Sequence, residues 1–182
     1  MSAGPAHGRD PELAALPAWL ASASRAVYAL NEWLLRVGML ALLAAAAVLT
    51  ASVFLRYFLH AATDWQDETA VFLLVGATFL CGAHVQQLRG HIGIDAVVGF
   101  LSPRWNRRRQ ALVDALSLLF CAFFAWKSWA LLAEAVHEGQ RTGSSWAPPL
   151  WIPYGLMASG MSLLCVQLLL QWLARLLAKE RT

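Results

Sequence analysis

The sequence predicts an all-α membrane protein of four transmembrane helices, with both termini in the cytoplasm and an amphipathic interfacial helix near the N-terminus. Three observations lead there. The 182 residues are 59% hydrophobic with only 14% charged and a mean hydropathy of +0.53, against about 45–50% apolar and about 25% charged in soluble domains. Four continuously apolar stretches, near 37–55, 69–88, 111–133 and 151–172, are each long enough to cross a hydrocarbon core of about 30 Å at about 1.5 Å per helical residue. The cations alternate with those stretches. Arg9, Arg25 and Arg36 precede the first, Arg89, Arg104, Arg107, Arg108 and Arg109 lie between the second and third, and Arg175, Lys179 and Arg181 follow the fourth. Only Arg56, Lys127 and Arg141 of the 14 Lys and Arg residues remain for the opposite side, as the positive-inside rule requires. The cations sit at span ends, so the net charge of +3 reflects topology and gives no reason to expect a nucleic-acid partner.

Taken in order, residues 1–33 read as a cytoplasmic tail followed by an amphipathic helix. Leu20, Ala23, Val27, Leu30 and Leu34 recur every three or four residues, with Ser24, Arg25, Asn31 and Glu32 off that stripe. An extension of span one, or packing on a partner, is the alternative. Residues 34–176 form the membrane domain and 177–182 a second cytoplasmic tail. The alanine-rich run at 40–52 begins too far from Met1 for a cleaved signal peptide. Span one ends at Arg56-Tyr57-Phe58, an interfacial edge. Asp64 is placed to cap span two, with Asp67 and Glu68 in a first turn whose dipole favours carboxylates.

The inner connection carries Val97, Val98, Phe100 and Leu101, a pattern for a short interfacial helix that Ser102-Pro103 breaks. Arg107, Arg108 and Arg109 then anchor span three against anionic headgroups. Pro153 is tolerated in the first turn of span four because its missing N–H needs no partner there.

Few residues suggest chemistry. Arg56, Trp65, Asp67 and Glu68 gather at the outer edge of spans one and two, where an interfacial ion pair or partner contact is expected rather than a mid-membrane transport site. Lys127 lies within span three; it either snorkels to the outer headgroups or pairs with Asp67, Glu68 or Glu134. Asp114 is about four turns away, too far to reach it. Gln86, Gln87 and His84 make the inner end of span two polar, which suits interhelical hydrogen bonding. Cys81, Cys121 and Cys165 lie in different spans, without the spacing of a metal or redox motif. His84 and His91 admit one rival reading, the haem-b-bearing membrane anchor of a respiratory enzyme. No phosphate loop or nucleophile elbow is present, so neither an enzyme nor a cofactor is expected.

The order Arg56-Tyr57, then Trp65-x-Asp67-Glu68, then Arg89-Gly90-His91-Ile92-Gly93-Ile94-Asp95 resembles the small permease subunit of TRAP transporters, the DctQ type. Trp151-Ile152-Pro153 at the start of span four is also similar, and the resemblance covers roughly 34–175. The long N-terminal extension and Gln66 depart from the pattern. The resemblance implies a four-span inner-membrane subunit in which His91, Ile92 and Asp95 form an inner-loop motif. It also implies a large multi-span permease as a separate chain, and a periplasmic binding protein that delivers an organic acid. Uptake would be coupled to a sodium gradient, with no substrate site on the small subunit.

Overall fold

A computed structural model describes residues 17–60, 64–88 and 103–179. They form four helices: α1 (Ala18–Leu59), α2 (Asp64–Gln87), α3 (Pro103–His137) and α4 (Trp151–Lys179). Each contains a stretch long and apolar enough to cross a membrane. His91, Ile92, Asp95 and the expected interfacial helix at 97–101 lie outside the described residues.

The helices pack as two antiparallel hairpins side by side. α1 packs on α2, α3 on α4, and the hairpins join where α2 meets α4. Phe79 faces Gly160, and further along Gln86 bonds Gln171, so α2 and α4 run parallel. α1 touches α4 only marginally. The order across the molecule is therefore α1, α2, α4, α3, an open row rather than a closed bundle. Residues of α2 are the most buried, at 28% of its apolar window, while α3 at the flank has 11%.

Small residues set the close approaches. A Cβ built on Gly160 would lie 2.5 Å from the Phe79 carbonyl oxygen, and one on Gly38 would collide with Cys81 Sγ. Along α1 the buried positions Ser24, Asn31, Gly38, Ala45 and Ser52 recur every seven residues. That period keeps one seam facing a neighbour, as in left-handed helix pairs, and small side chains let the backbones approach.

α1 runs for 42 residues without a break, about 63 Å, or twice the hydrocarbon thickness. The amphipathic stretch is thus continuous with span one. Its buried face is Leu20, Ser24 and Asn31, whereas Leu30 of the apolar stripe is 44% exposed. α1 starts 13 residues before Asn31 and α4 ends 12 residues after Gln167, so both overhang the end of α2.

The remaining ends are locally specified. Pro103 opens α3 at the position where a helix tolerates proline best. α3 closes on Gly139 at φ +62, with Gln140 N–H bonding Ala135 C=O and Gly139 N–H bonding Val136 C=O. That is a Schellman ending, which needs a left-handed residue and so favours glycine. The turn to α4 is tied by Thr142 N–H to Pro148 C=O, Leu150 N–H to Gln140 C=O, and Arg141 Nη1 to Ala147 C=O.

Candidate functional site: interhelical clamps and an uncovered flank

At the outer end, Arg56 Nη2 lies 2.7 Å from Asp67 Oδ2. The other oxygen of Asp67 accepts from Ser52 Oγ at 3.1 Å. Ser52 and Arg56 are one helical turn apart on α1, so one carboxylate on α2 grips two positions of its neighbour. The Arg56 and Asp67 side chains are 61% and 48% exposed, which limits such a pair in water to about 0.2–1 kcal/mol. The expected pairing of Arg56 with a span-two carboxylate is thus made by Asp67. Glu68 turns inward, with Oε2 buried and without a hydrogen-bond partner, and Gln66 Oε1 is placed likewise. Trp65 is half exposed, as an interfacial tryptophan should be.

At the inner end an amide hub joins three helices. Asn31 on α1 is fully buried; its Nδ2 donates to Gln87 Oε1 on α2 at 3.0 Å and to Gln167 Oε1 on α4 at 3.1 Å. Beside it, Gln86 Nε2 donates to Gln171 Oε1 at 2.9 Å, and Gln171 Nε2 returns a bond to the Gln86 carbonyl at 3.1 Å. Interhelical bonds of this kind contribute about 0.6 kcal/mol each on average, with a maximum of about 1.7. Their directionality fixes register better than apolar contact does. His84 completes the cluster, with a buried Nδ1 that lies 3.8 Å from Glu32 Oε1. His60 and His137 end α1 and α3 at the opposite side of the slab. Among the described residues no group of three His, Cys, Asp or Glu is placed to hold a metal ion.

The structure does not bring Lys127 to these clusters. It lies exposed on α3 with its Nζ 4.9 Å from the Trp126 ring centroid. Asp67 and Glu68 are on α2, across α4 from it. Glu134 is two turns along α3, about 10 Å away on the helix axis. A lysine at the centre of a spanning helix costs about 2.5–3.5 kcal/mol by insertion measurements. A cation over tryptophan returns roughly 0.5–2 kcal/mol of that. Arg107, Arg108 and Arg109 occupy the second turn of α3, and Arg109 is half-buried.

Sequence reasoning passed over Asn31, which it set among the polar residues off the apolar stripe, and Gln167. The signal was the seven-residue spacing of Ser24, Asn31, Gly38, Ala45 and Ser52, matched on α4 by Pro153, Gly160 and Gln167.

The described polar contacts between helices thus hold an apolar row together, and the row leaves wide flanks uncovered. Such geometry defines a class: a polytopic helical membrane protein with four spanning helices in a row. Residues 45–178 match the family model described as "Tripartite ATP-independent periplasmic transporters, DctQ component". The match covers most of the described membrane helices, and the chain belongs to that family. It is also 27% identical over 135 residues, 72% of its length, to a protein of Oleidesulfovibrio alaskensis named "Isethionate TRAP transporter permease protein DctMQ". Those residues make up 21% of that protein, so the chain spans about a fifth of its relative's length. No solved structure matches the chain.

Proposed function

We propose that this chain is the small integral-membrane subunit of a TRAP-type secondary transporter. Its role is to bind a large permease subunit, carried on a separate chain, and to widen that subunit's scaffold in the inner membrane. The large subunit performs ion-gradient-driven uptake of organic acids, with sodium as the coupling ion. A periplasmic binding protein delivers the substrate. Both ends of the small subunit face the cytoplasm, in keeping with the cation distribution. In this reading the chain is not an enzyme and holds no substrate.

The observation that carries the proposal is the open row. α1 and α3 at its flanks expose large apolar side chains along their lengths, including Leu40, Leu43, Val53, Leu112, Leu119 and Phe120. A chain that worked alone would need a closed interior with a polar site near mid-depth. Asn31, Gln86 and Asp67 instead make helix-to-helix contacts near the two ends of the row, which suits a scaffold. The fused architecture of the named relative, in which one chain is called DctMQ, supports close association with a larger permease.

Deletion of the chain tests the proposal. Cells lacking it should lose uptake of at least one of a panel of labelled organic acids, and expression from a second locus should restore it. Unchanged uptake of every member of the panel would contradict an obligatory role.

A further inference from the structure

Lys127 lies near the middle of the α3 span, on a face that no other described residue covers. Two references bracket its depth. The α3 span Ala111–His137 has its midpoint at residue 124, three residues or about 4.5 Å from Lys127. Independently, Trp129 Nε1 donates to Ser162 Oγ at 2.9 Å, and Ser162 is at the middle of the α4 span Trp151–Ala174. Lys127 is two residues from Trp129, about 3 Å along the axis. The Lys127 backbone therefore sits within about 5 Å of the middle of these two spans, while each interface is about 15 Å from the mid-plane.

Snorkelling does not resolve this. A lysine stem extends about 6 Å. Helical Cβ atoms tilt toward the helix N-terminus, in α3 the inner end, and from within about 5 Å of the middle a stem of about 6 Å falls short of either interface, each about 15 Å from the mid-plane. The Lys127 ammonium lies over Trp126, its neighbour on that N-terminal side. The side chain therefore stays at depth, on the helix face that carries the exposed rings of Phe123 and Phe120, one and two turns away.

A second copy of the chain does not resolve it either. A two-fold axis along the membrane normal would bring two Lys127 residues together at equal depth, with like charges opposed. Asp114 is 13 residues from Lys127, about 20 Å, so it could not intervene. Among the described residues no carboxylate pairs with Lys127, and a cation held at this depth calls for an anion, here assigned to a different protein.

We propose that the α3 face centred on Lys127 is the surface that the large permease subunit covers, and that a helix of that subunit presents a carboxylate to the Lys127 ammonium at mid-depth. The inference rests on the reading of this chain as a permease-binding subunit. On this account α3 is the docking flank and the outward face of α1 meets lipid.

The test places a photo-crosslinking amino acid at Phe123, one turn from Lys127, or at Leu43 on the outward face of α1, in the full chain in native membranes. Phe123 should capture the same multi-span chain that co-purifies with the wild type, and Leu43 should not. In parallel, Lys127→Glu should lower recovery of that chain at least about tenfold, at an unchanged level of the small subunit in the membrane. Lys127→Arg should keep recovery within about twofold. Capture from Leu43 and not Phe123, capture of a second copy from Phe123, or full recovery with Lys127→Glu would overturn the inference. If the wild type recovers no multi-span permease at all, the subunit reading itself fails, an outcome distinct from capture at the wrong face.

Discussion

Asp67 shows how a single side chain can set the angle between two helices. Its carboxylate takes a bond from Arg56 and another from Ser52, so losing Asp67 removes both of these bonds where losing Ser52 leaves the Arg56 bond in place. Asp67→Ala should therefore destabilise the α1–α2 hairpin more than Ser52→Ala, by about 1–2 kcal/mol against about 0.5–1. Detergent thermal melts of both variants check the order; equal melting points would refute it. At the inner end Asn31→Leu breaks both arms of the amide hub and leaves Gln87 and Gln167 without their shared donor. A loss of about 1–3 kcal/mol is expected, and a neutral result in the same assay would show that the hub does not hold the helices. The outer pair was legible in the sequence because opposite charges flank a short connection. Asn31 was not, because a lone polar residue on an apolar helix looks the same facing water as facing a partner amide.

Among the elements, α1 shows why an apolar stripe misleads in lipid. In water such a stripe turns inward, since apolar area is driven from solvent. In a bilayer the surroundings are equally apolar, and close packing of small residues decides which face is buried. Leu30 thus lies out while Ser24 and Asn31 lie in. Two starts were easier to read: Asp64 and Trp151 open helices where the sequence places spans two and four. The α2–α4 contact supplies a paired test. Gly160→Ala would press a methyl against the Phe79 carbonyl, where rigid backbone must move. Gly82→Ala, with nothing within 4 Å of the new atom, should only improve helix propensity. The first should cost about 1–3 kcal/mol and the second should gain up to about 1. Melting temperatures that move in the same direction would refute the proposed close approach.

For the whole molecule, the number of spans and the family were legible from hydropathy and from an ordered set of edge motifs. The open row was not. Four apolar spans are equally consistent with a closed bundle, and only interhelical contacts distinguish the two. The row also explains why this chain is mostly surface: α3 and α1 each pack along one neighbour, apart from the inner-end contact of α1 with α4, so a partner can bind a broad face without the row repacking. Orientation belongs to this scale as well. Replacing Arg107, Arg108 and Arg109 by Gln removes three of the five cations assigned to the inner connection, and a reporter fused at the C-terminus should then show mixed orientation. Unchanged orientation would assign the topology to the remaining cations.

The central claim is that this row of helices serves a larger permease, and the most direct measurement is its stoichiometric recovery. The tagged chain, withdrawn from its native membrane in mild detergent, should bring one multi-span permease at about equal molar amount, identified by mass spectrometry, with no Soret band in the eluate. A Soret band accompanied by redox subunits, or a chain recovered only with itself, would contradict the account.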